Sequence, residues 1–213
     1  MPLALVTCGP AYEPIDGVRR ITNHSTGELG TTLSTALHAA GFEVVCLRGE
    51  MATHPAPRDL AVIPFSTNSS LERELEKLPE APAVIFHAAA LCDFTVSGMS
   101  GPASGKKIRS DAAELILTLI PAGKILPLLR PLFSEALIVG WKYELEGTRD
   151  EAITRARSQI SHARTDACVV NGSAYGAGFG LVESGSDAIG YLPDKAALSA
   201  HLVRWTQKKL SLR

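Results

Sequence analysis

Residues 6–30, VTCGPAYEPIDGVRRITNHSTGELG, carry the strongest chemical signal in the chain. The segment follows an apolar run that predicts a buried strand, Leu3–Val6, and it ends where Ser25, Thr26 and Gly27 open a predicted helix. Unpaired N–H groups and the helix dipole favour an anion where a loop leads from a strand into a helix. The segment therefore predicts a site for a phosphorylated ligand, and helix capping by Ser25 or Thr26 is an additional or alternative role.

Three polar or small residues near predicted strand ends could take part in the chemistry. Gly9 follows the first strand and would let a ligand approach the backbone closely. Asn23 offers two amide donors, which suit a carboxylate or a developing oxyanion, although an Asx-turn would explain it equally well. Asp93 follows another strand, where its carboxylate could bind Mg²⁺ or a ligand hydroxyl, or could cap the next turn.

Cationic and aromatic candidates follow later in the chain. Lys106 and Lys107 lie in a loop rich in Gly and Ser, where a flexible ammonium group could neutralise phosphate charge or could simply be solvated. Trp141 could stack on a base and Lys142 could reach an anion, unless both cover the sheet edge. Asn171 ends the next predicted strand. Because all these positions follow strands, we expect them at one edge of a sheet.

The elements that must position these residues alternate between strand-like and helix-like segments. The predicted strands are Leu3–Thr7, Phe42–Leu47, Leu60–Phe65, Ala83–Ala88, Leu115–Ile120, Ala136–Trp141 and Ala167–Val170, followed by a hairpin of Gly180–Glu183 and Ala188–Tyr191. The predicted helices are Gly27–Ala40, residues 69–78, Ala122–Leu129, Arg149–Arg164 and a last helix from Asp194 to about Leu210. This alternation predicts an α/β fold that is Rossmann-like and doubly wound. Its mainly parallel sheet would carry helices on both faces and an antiparallel C-terminal hairpin at one edge.

Composition limits the class of protein. The chain has 213 residues, of which 46% are apolar and 20% charged, and this predicts a single domain over residues 1–213 with a mobile loop at about 92–111. With 21 basic and 22 acidic residues the net charge is −1, which gives no reason to expect a nucleic-acid partner. No apolar run reaches the roughly 20 residues of a membrane span, so we expect no membrane partner and a cytoplasmic location.

Several common chemistries lack their sequence signals. The four cysteines have neither metal-ligand nor CxxC spacing, and no GxGxxG fingerprint is present. Cys8 and Cys92 follow strands and could face a ligand, whereas Cys46 and Cys168 fall inside apolar runs. His87 lies on an apolar strand and is interpreted as a packed core residue rather than a base.

Five segments together resemble the phosphopantothenoylcysteine synthetase family, the C-terminal domain of the DNA/pantothenate metabolism flavoproteins, in its free-standing form. They are residues 6–30 and the segments HAAALCDF (87–94), GKKIRS (105–110), GWKYE (140–144) and DACVVN (166–171), in the order typical of that family.

The resemblance implies a ligase of coenzyme A biosynthesis that uses CTP or ATP with Mg²⁺ and no flavin. It would join 4′-phosphopantothenate to cysteine through an acyl-nucleotide, with release of pyrophosphate. Asn23 and Lys107 would be the catalytic residues, and residues 25–27 would bind the substrate phosphate. The nucleotide would contact the residues Gly9, Asp93, Lys107, Trp141, Lys142 and Asn171. No metal ligand is assigned apart from a possible role of Asp93, and the family implies a homodimer in which a loop of one subunit helps to close the site of the other.

The chain departs from the family pattern at several positions. Pro10 replaces a glycine, Glu28 replaces the lysine after the STG sequence, and Gln159 and Ala163 replace two further lysines. These changes leave two alternatives open, namely an active ligase and a degenerate homologue that binds a nucleotide or a phosphopantothenate-like ligand without ligation.

Overall fold

A computed structural model of the chain describes residues 1–99, 107–108 and 114–212. Eight strands of the described residues form the main sheet. These strands are β1 (Leu3–Cys8), β4 (Glu43–Gly49), β5 (Ala61–Phe65), β6 (Val84–His87), β9 (Leu137–Tyr143), β10 (Ala167–Asn171), β11 (Phe179–Glu183) and β12 (Ile189–Leu192). Their order across the sheet is β12-β11-β10-β9-β6-β1-β4-β5. The strands from β5 across to β10 are mutually parallel, and β11 and β12 extend the sheet in antiparallel orientation.

In the part of the chain that the structure describes, five helices cover the two faces of the sheet: α1 (Glu28–Ala39), α2 (Asn68–Glu76), α3 (Leu126–Leu132), α4 (Arg149–Ala163) and α5 (Lys195–Ser211). On one face, α1 and α5 pack on strand residues such as Val6 and Val139. On the other, α2 and α3 pack on Leu5 and Ile138, and α4 packs on β10. The predicted Rossmann-like α/β fold with its C-terminal hairpin is therefore confirmed.

The sheet has a topological switch point beside its first strand. The chain passes from β1 outward through β4 and β5, and then crosses to β6 on the other side of β1. The connections after β1 and β6 therefore leave in opposite directions and open a crevice at the carboxyl ends of these strands. Ligands of open α/β sheets bind in such crevices.

Two hairpins outside the main sheet differ from the prediction. The first loop contains β2 (Tyr12–Pro14) paired with β3 (Arg20–Thr22), which the sequence pattern missed. The predicted strand Leu115–Ile120 is β8 (Leu117–Pro121), and it pairs with β7 (Phe94–Met99) rather than joining the main sheet. Part of the predicted mobile loop at 92–111 is thus strand β7. Residues 100–106 and 109–113, including Lys106, lie outside the described residues.

Helix starts also differ from the prediction. The N-cap of α1 is Gly27, with φ 78° and no side-chain cap, so neither Ser25 nor Thr26 occupies that position. Helix α2 begins earlier than predicted because the Thr67 hydroxyl accepts a hydrogen bond from the backbone N–H of Ser70 at 3.1 Å. Helix α3 begins at Leu126 and ends at Leu132, so it lies further along the chain than the predicted helix Ala122–Leu129.

Candidate active site

The crevice at the switch point is bounded by loops that continue the pairing of β1 and β6. Ala90 donates its N–H to the carbonyl of Gly9 at 3.0 Å, and Ala11 donates to the carbonyl of Ala90 at 3.0 Å. The side chain of Asn68 forms two hydrogen bonds with the backbone of Cys92, at 2.8 and 3.1 Å. Hydrogen bonds of the backbone and of the Asn68 side chain therefore fix this edge of the sheet.

Asn23 lies at this crevice, as the sequence predicts. It is exposed, and its Nδ2 donates to the carbonyl of Leu91 at 2.7 Å, which joins the first loop to the loop after β6. Only one of the two Nδ2 hydrogens is needed for that bond, so the other hydrogen and Oδ1 remain for a ligand. Asp93, two residues beyond Leu91, forms an exposed ion pair with Lys124.

The start of α1 packs closely against neighbouring loops. A Cβ atom at Gly27 would lie 2.9 Å from the Cβ of Ala52 and 3.5 Å from the Cα of Gly9. The loop after β4 is also joined to it, because His54 donates its N–H to the carbonyl of Thr26 at 2.9 Å. Gly9, with φ +76°, is needed for its conformation and this packing, since a Cβ there would also meet Ala52, at 2.8 Å.

The charge of Glu28 at the first position of α1 is neutralised by another helix. Lys195 of α5 forms an ion pair with the Glu28 carboxylate. This hydrogen bond with Lys195 is the main cause that lowers the pKa of Glu28. A negative side chain at this helix start is thus compatible with an anion nearby, because the pair as a whole carries no net charge.

A pocket of about 180 Å³ lies beneath the loop after β6, lined in part by His87, Asp93, Trp141 and Gln159. His87 is 7% exposed, and its Nδ1 lies 2.9 Å from the hydroxyl oxygen of Thr7. The Gln159 amide donates to the carbonyl of Trp141 at 3.3 Å. The expected packed position of His87 is confirmed, and the pocket combines apolar walls with a few polar groups, as ligand pockets do.

The candidates at the ends of β9 and β10 differ in their availability. Trp141 is half-buried, and its Nε1 has no hydrogen-bond partner among the described residues. Lys142 lies 3.2 Å from Glu144, which Arg155 also contacts. Partial burial raises the pKa of Glu144, but hydrogen bonds from these two cations lower it by more. Glu144 therefore stays ionised and partly neutralises Lys142. Asn171 is half-buried, and its carbonyl accepts the N–H of Glu144 at 2.9 Å.

Lys107 is exposed, whereas the next residue is fixed in place. Ile108 is 9% exposed, and its N–H donates to Asp16 at 2.9 Å. Among the predicted site residues, the structure places Asn23, Asp93 and Trp141 beside the same crevice and pocket.

Sequence reasoning missed two charged groups that organise this edge. The guanidinium of Arg48, at the end of β4, donates to the carbonyls of Ala52 and His54 and so holds the loop against α1. Asp16 holds the turn of the β2–β3 hairpin. An arginine within an apolar strand and a DGxR sequence within a loop are the signals that could have indicated them.

The cysteines do not form a group of reactive thiols in the crevice. Cys8 is 1% exposed and lies beneath α1, with its Sγ 3.6 Å from that of Cys46, which corrects the expectation that Cys8 could face a ligand. The hydrogen bond with Cys46 and burial raise the pKa of Cys8, so this thiol stays protonated. Cys92 does line the pocket, and burial raises the pKa of its thiol too.

Metal and membrane features are limited within the described part of the chain. Residues 1–99, 107–108 and 114–212 contain no group of three or more His, Cys, Asp or Glu side chains that could hold a metal ion. The same residues contain no helix long and apolar enough to cross a membrane.

A larger cleft lies at the opposite edge of the sheet. It has a volume of about 640 Å³ and is lined by residues such as Arg157, Arg164 and Asp187 where β10 begins and β11 ends. Arg157 already contacts Asp187 at 3.5 Å. We place the candidate site at the switch point because the predicted polar residues converge there.

We expect acid to destabilise the fold through His87. Burial lowers its pKa to about 4 from an ordinary 6.5, so the folded state holds it neutral while the unfolded state binds a proton below pH 6.5. The free energy of unfolding should therefore fall by about 3 kcal/mol as the pH decreases from 6.5 to 4. Urea unfolding at several pH values measures this change. The variant His87→Asn should show a smaller change, and the exposed-site variant His38→Asn should behave like the wild type; equal pH dependence in all three would contradict the assignment.

The doubly wound sheet, with a crevice at its switch point and a helix N-terminus beside that crevice, defines a Rossmann-like α/β protein. The chain belongs to the family of DNA/pantothenate metabolism flavoprotein C-terminal domains, whose sequence profile matches residues 3–197. The resemblance of the sequence to this family is thereby confirmed.

Relatives and solved structures agree with this membership. The chain is 34% identical over 178 residues to a "Cysteine/Cysteine sulfinic acid decarboxylase" from an unknown prokaryotic organism, covering 82% of this chain and 47% of that protein. It is 32% identical over 168 residues to the "Coenzyme A biosynthesis bifunctional protein CoaBC" of Thermococcus kodakarensis, covering 78% and 40%. The chain thus spans less than half of these relatives. The crystal structure of the DNA/pantothenate metabolism flavoprotein from Streptococcus pneumoniae has a TM-score of 0.86 and 25% identity, covering 98% of this chain and 100% of that one.

Proposed function

We propose that the protein is a nucleotide-dependent ligase that joins 4′-phosphopantothenate to cysteine. The observation that carries the proposal is the convergence, at one crevice, of a helix N-terminus without a side-chain cap, the Asn23 amide and a pocket lined by Asp93 and Trp141. Membership of the family and the similarity to a coenzyme A biosynthesis protein support the substrate class.

The start of α1 is the proposed site for the substrate phosphate. Because Gly27 provides no capping side chain, N–H groups of the first turn remain for an anion, and the helix dipole adds to their effect. Ser25 and Thr26 precede this turn. Although the Thr26 hydroxyl accepts the N–H of Glu28 at 3.3 Å, this oxygen can still donate its own hydrogen to a phosphate.

The chemistry has two steps. A carboxylate oxygen of 4′-phosphopantothenate attacks the α-phosphorus of CTP or ATP and releases pyrophosphate. The cysteine amine, once deprotonated, attacks the acyl carbon and expels the nucleoside monophosphate. Asn23 would hold the carboxyl oxygen on which charge develops, and Lys107 would offset the charge of the phosphates; Mg²⁺ carried by the nucleotide would assist that neutralisation.

The nucleotide is proposed to occupy the crevice and the adjoining pocket, near Asp93 and Trp141. Gly9 and Asn171 would border it, and Lys142, which Glu144 partly neutralises, would contribute less to phosphate binding than Lys107. No described residue argues for one base, so CTP and ATP are both tested.

The deciding experiment measures pyrophosphate release by the purified protein with 4′-phosphopantothenate, Mg²⁺ and either CTP or ATP, with and without cysteine. Release that requires phosphopantothenate and one nucleotide would establish the ligase and its nucleotide. A folded protein that binds a nucleotide but releases nothing with either would instead support the degenerate homologue, silenced by changes such as Glu28 and Gln159. A cytoplasmic location stays a prediction, which fractionation of the source cells would test.

We further propose a homodimer formed through the β7–β8 hairpin. This hairpin lies outside the main sheet, and its apolar side chains Phe94 and Leu119 are 53% and 42% exposed. Exposed apolar clusters of this kind mark interaction sites.

The variant Leu119→Glu should convert the dimer into a monomer, because a charge in an apolar interface loses its hydration without a partner. Sedimentation equilibrium measures the mass. Leu212→Glu, an equally drastic change at a 75%-exposed residue near the end of α5, should leave the dimer intact. A monomeric wild type, or a Leu119→Glu variant that stays dimeric, would refute this interface.

A further inference from the structure

Asp16 is a nearly buried carboxylate in the turn between β2 and β3. Its side chain is only 3% exposed, and its Oδ1 accepts the N–H groups of Val18 at 2.9 Å and Arg19 at 2.7 Å. These bonds close the turn locally, as Asx-turns do. The second oxygen is not needed for the turn and points to a different part of the chain.

That second oxygen holds a segment 92 residues away. Oδ2 accepts the N–H of Ile108 at 2.9 Å and a hydrogen from Nη1 of Arg19 at 2.6 Å. The same Nη1 also donates to the carbonyl of Ile108 at 3.2 Å. Both backbone polar groups of Ile108 are therefore bound by one ion pair, and its side chain is buried as well.

The carboxylate is strongly held in its charged form. The hydrogen bond from the N–H of Ile108 is the largest cause that lowers the pKa of Asp16 to about 2. Charged acceptors form hydrogen bonds about twice as strong as neutral ones. The contact with Ile108 is thus stronger than an ordinary loop contact.

We propose that Asp16, together with Arg19, is a positioning residue for Lys107. This inference rests on the proposed function, in which Lys107 neutralises nucleotide phosphates. Because Ile108 is fixed at both backbone groups, the Cα of its neighbour is held at a set place, and only the lysine side chain must be ordered when the nucleotide binds. Misplacement of a catalytic group by 1 Å can cost about 100-fold in rate.

The variant Asp16→Asn tests the inference with little change of shape. Its Oδ1 can still accept from Val18 and Arg19, but the new NH₂ group faces the N–H donors of Ile108 and Arg19. We expect the exchange rate of the Ile108 amide hydrogen to rise at least about 10-fold. We also expect kcat to fall about 10- to 100-fold, with a smaller change in the KM for the nucleotide.

Two matched carboxylate-to-amide variants serve as controls. Glu13, in the same hairpin, accepts the N–H of Val96 at 3.0 Å through Oε1, and the carbonyl oxygen of a glutamine can accept the same bond, so Glu13→Gln should leave both Val96 and Ile108 protected. Glu74→Gln, on the remote helix α2, should change neither amide nor the turnover.

The measurements use the full chain, with amide exchange followed by NMR and turnover followed by pyrophosphate release. Faster Ile108 exchange together with a lower kcat supports the proposal. Unchanged exchange in Asp16→Asn overturns the anchoring, and faster exchange with unchanged kcat overturns the positioning role. Failure of the proposed function is recognised separately, because the wild-type protein would then show no turnover before any variant is compared.

Discussion

Replacing Lys107 by methionine should lower kcat about 100- to 1,000-fold, because the phosphates would lose a charge that offsets their own as the acyl-nucleotide forms. Methionine keeps the length of the side chain and removes its charge. Lys107 is exposed, so the change should leave the melting temperature within a degree or two of the wild-type value. Steady-state pyrophosphate release with saturating phosphopantothenate and the preferred nucleotide measures the effect.

Lys77→Met is the matched control, since Lys77 is an exposed lysine that pairs with Glu74 of α2. It should retain full activity. Lys107→Arg should keep part of the activity, because the positive charge is preserved while its geometry changes. If Lys107→Met were as active as the wild type, the role of this loop lysine would have to be abandoned.

The second large effect concerns stability. A methyl group at Gly30 would lie 2.1 Å from the Cβ of Cys8, a distance that α1 and β1 cannot accommodate at their present separation. Gly30→Ala should therefore lower the free energy of unfolding by about 3 kcal/mol, since overpacking of a dense core forces backbone shifts. The intrinsic preference of alanine for helices offsets only about 1 kcal/mol of that cost.

Urea unfolding at pH 7 tests this prediction. Gly123→Ala provides the contrast, because a Cβ there would meet nothing within 4 Å and its φ is not in the left-handed region. That variant should unfold within about 0.5 kcal/mol of the wild type. An equally stable Gly30→Ala protein would mean that α1 packs less closely on β1 than the structure places it.

The main sheet could be predicted from the sequence because its strands are almost wholly apolar and alternate with helices. Strands such as Val84–His87 are buried on both faces and need no further context. The antiparallel hairpin of β11 and β12 at the edge of the sheet could also be predicted, since Gly185 separates two apolar runs. The prediction was wrong mainly where a strand is short and exposed.

The two small hairpins show why such strands escape detection. Tyr12–Pro14 and Arg20–Thr22 have three residues each and no buried residue, so neither carries the alternation on which a strand prediction depends. Strand Phe94–Met99 contains Ser97 and Gly98, and the carboxylate of Glu13 holds it by accepting a hydrogen bond from the N–H of Val96. Such contacts depend on tertiary structure.

Some residues of the candidate site could likewise be predicted from the sequence, and others could not. Asn23 and Asp93 lie in the connections after β1 and β6, and they could be placed because the carboxyl ends of parallel strands share one edge. The ion pair of Asp16 with Arg19 could not be linked to Ile108, since no local pattern relates residues 92 apart. Arg48 was missed because the role of a half-buried guanidinium depends on which carbonyls surround it.

The packing of α5 on α1 has a consequence for how the protein folds during its synthesis. The ion pair of Glu28 with Lys195 joins residues 167 apart, and Leu33 and Leu37 share a core cluster with Leu198 and Leu202. During synthesis the first helix therefore leaves the ribosome long before the helix that packs on it. Contacts of such long range form late in folding. A nascent chain that stops before α5 should expose this apolar face and depend on chaperones until the last helix arrives.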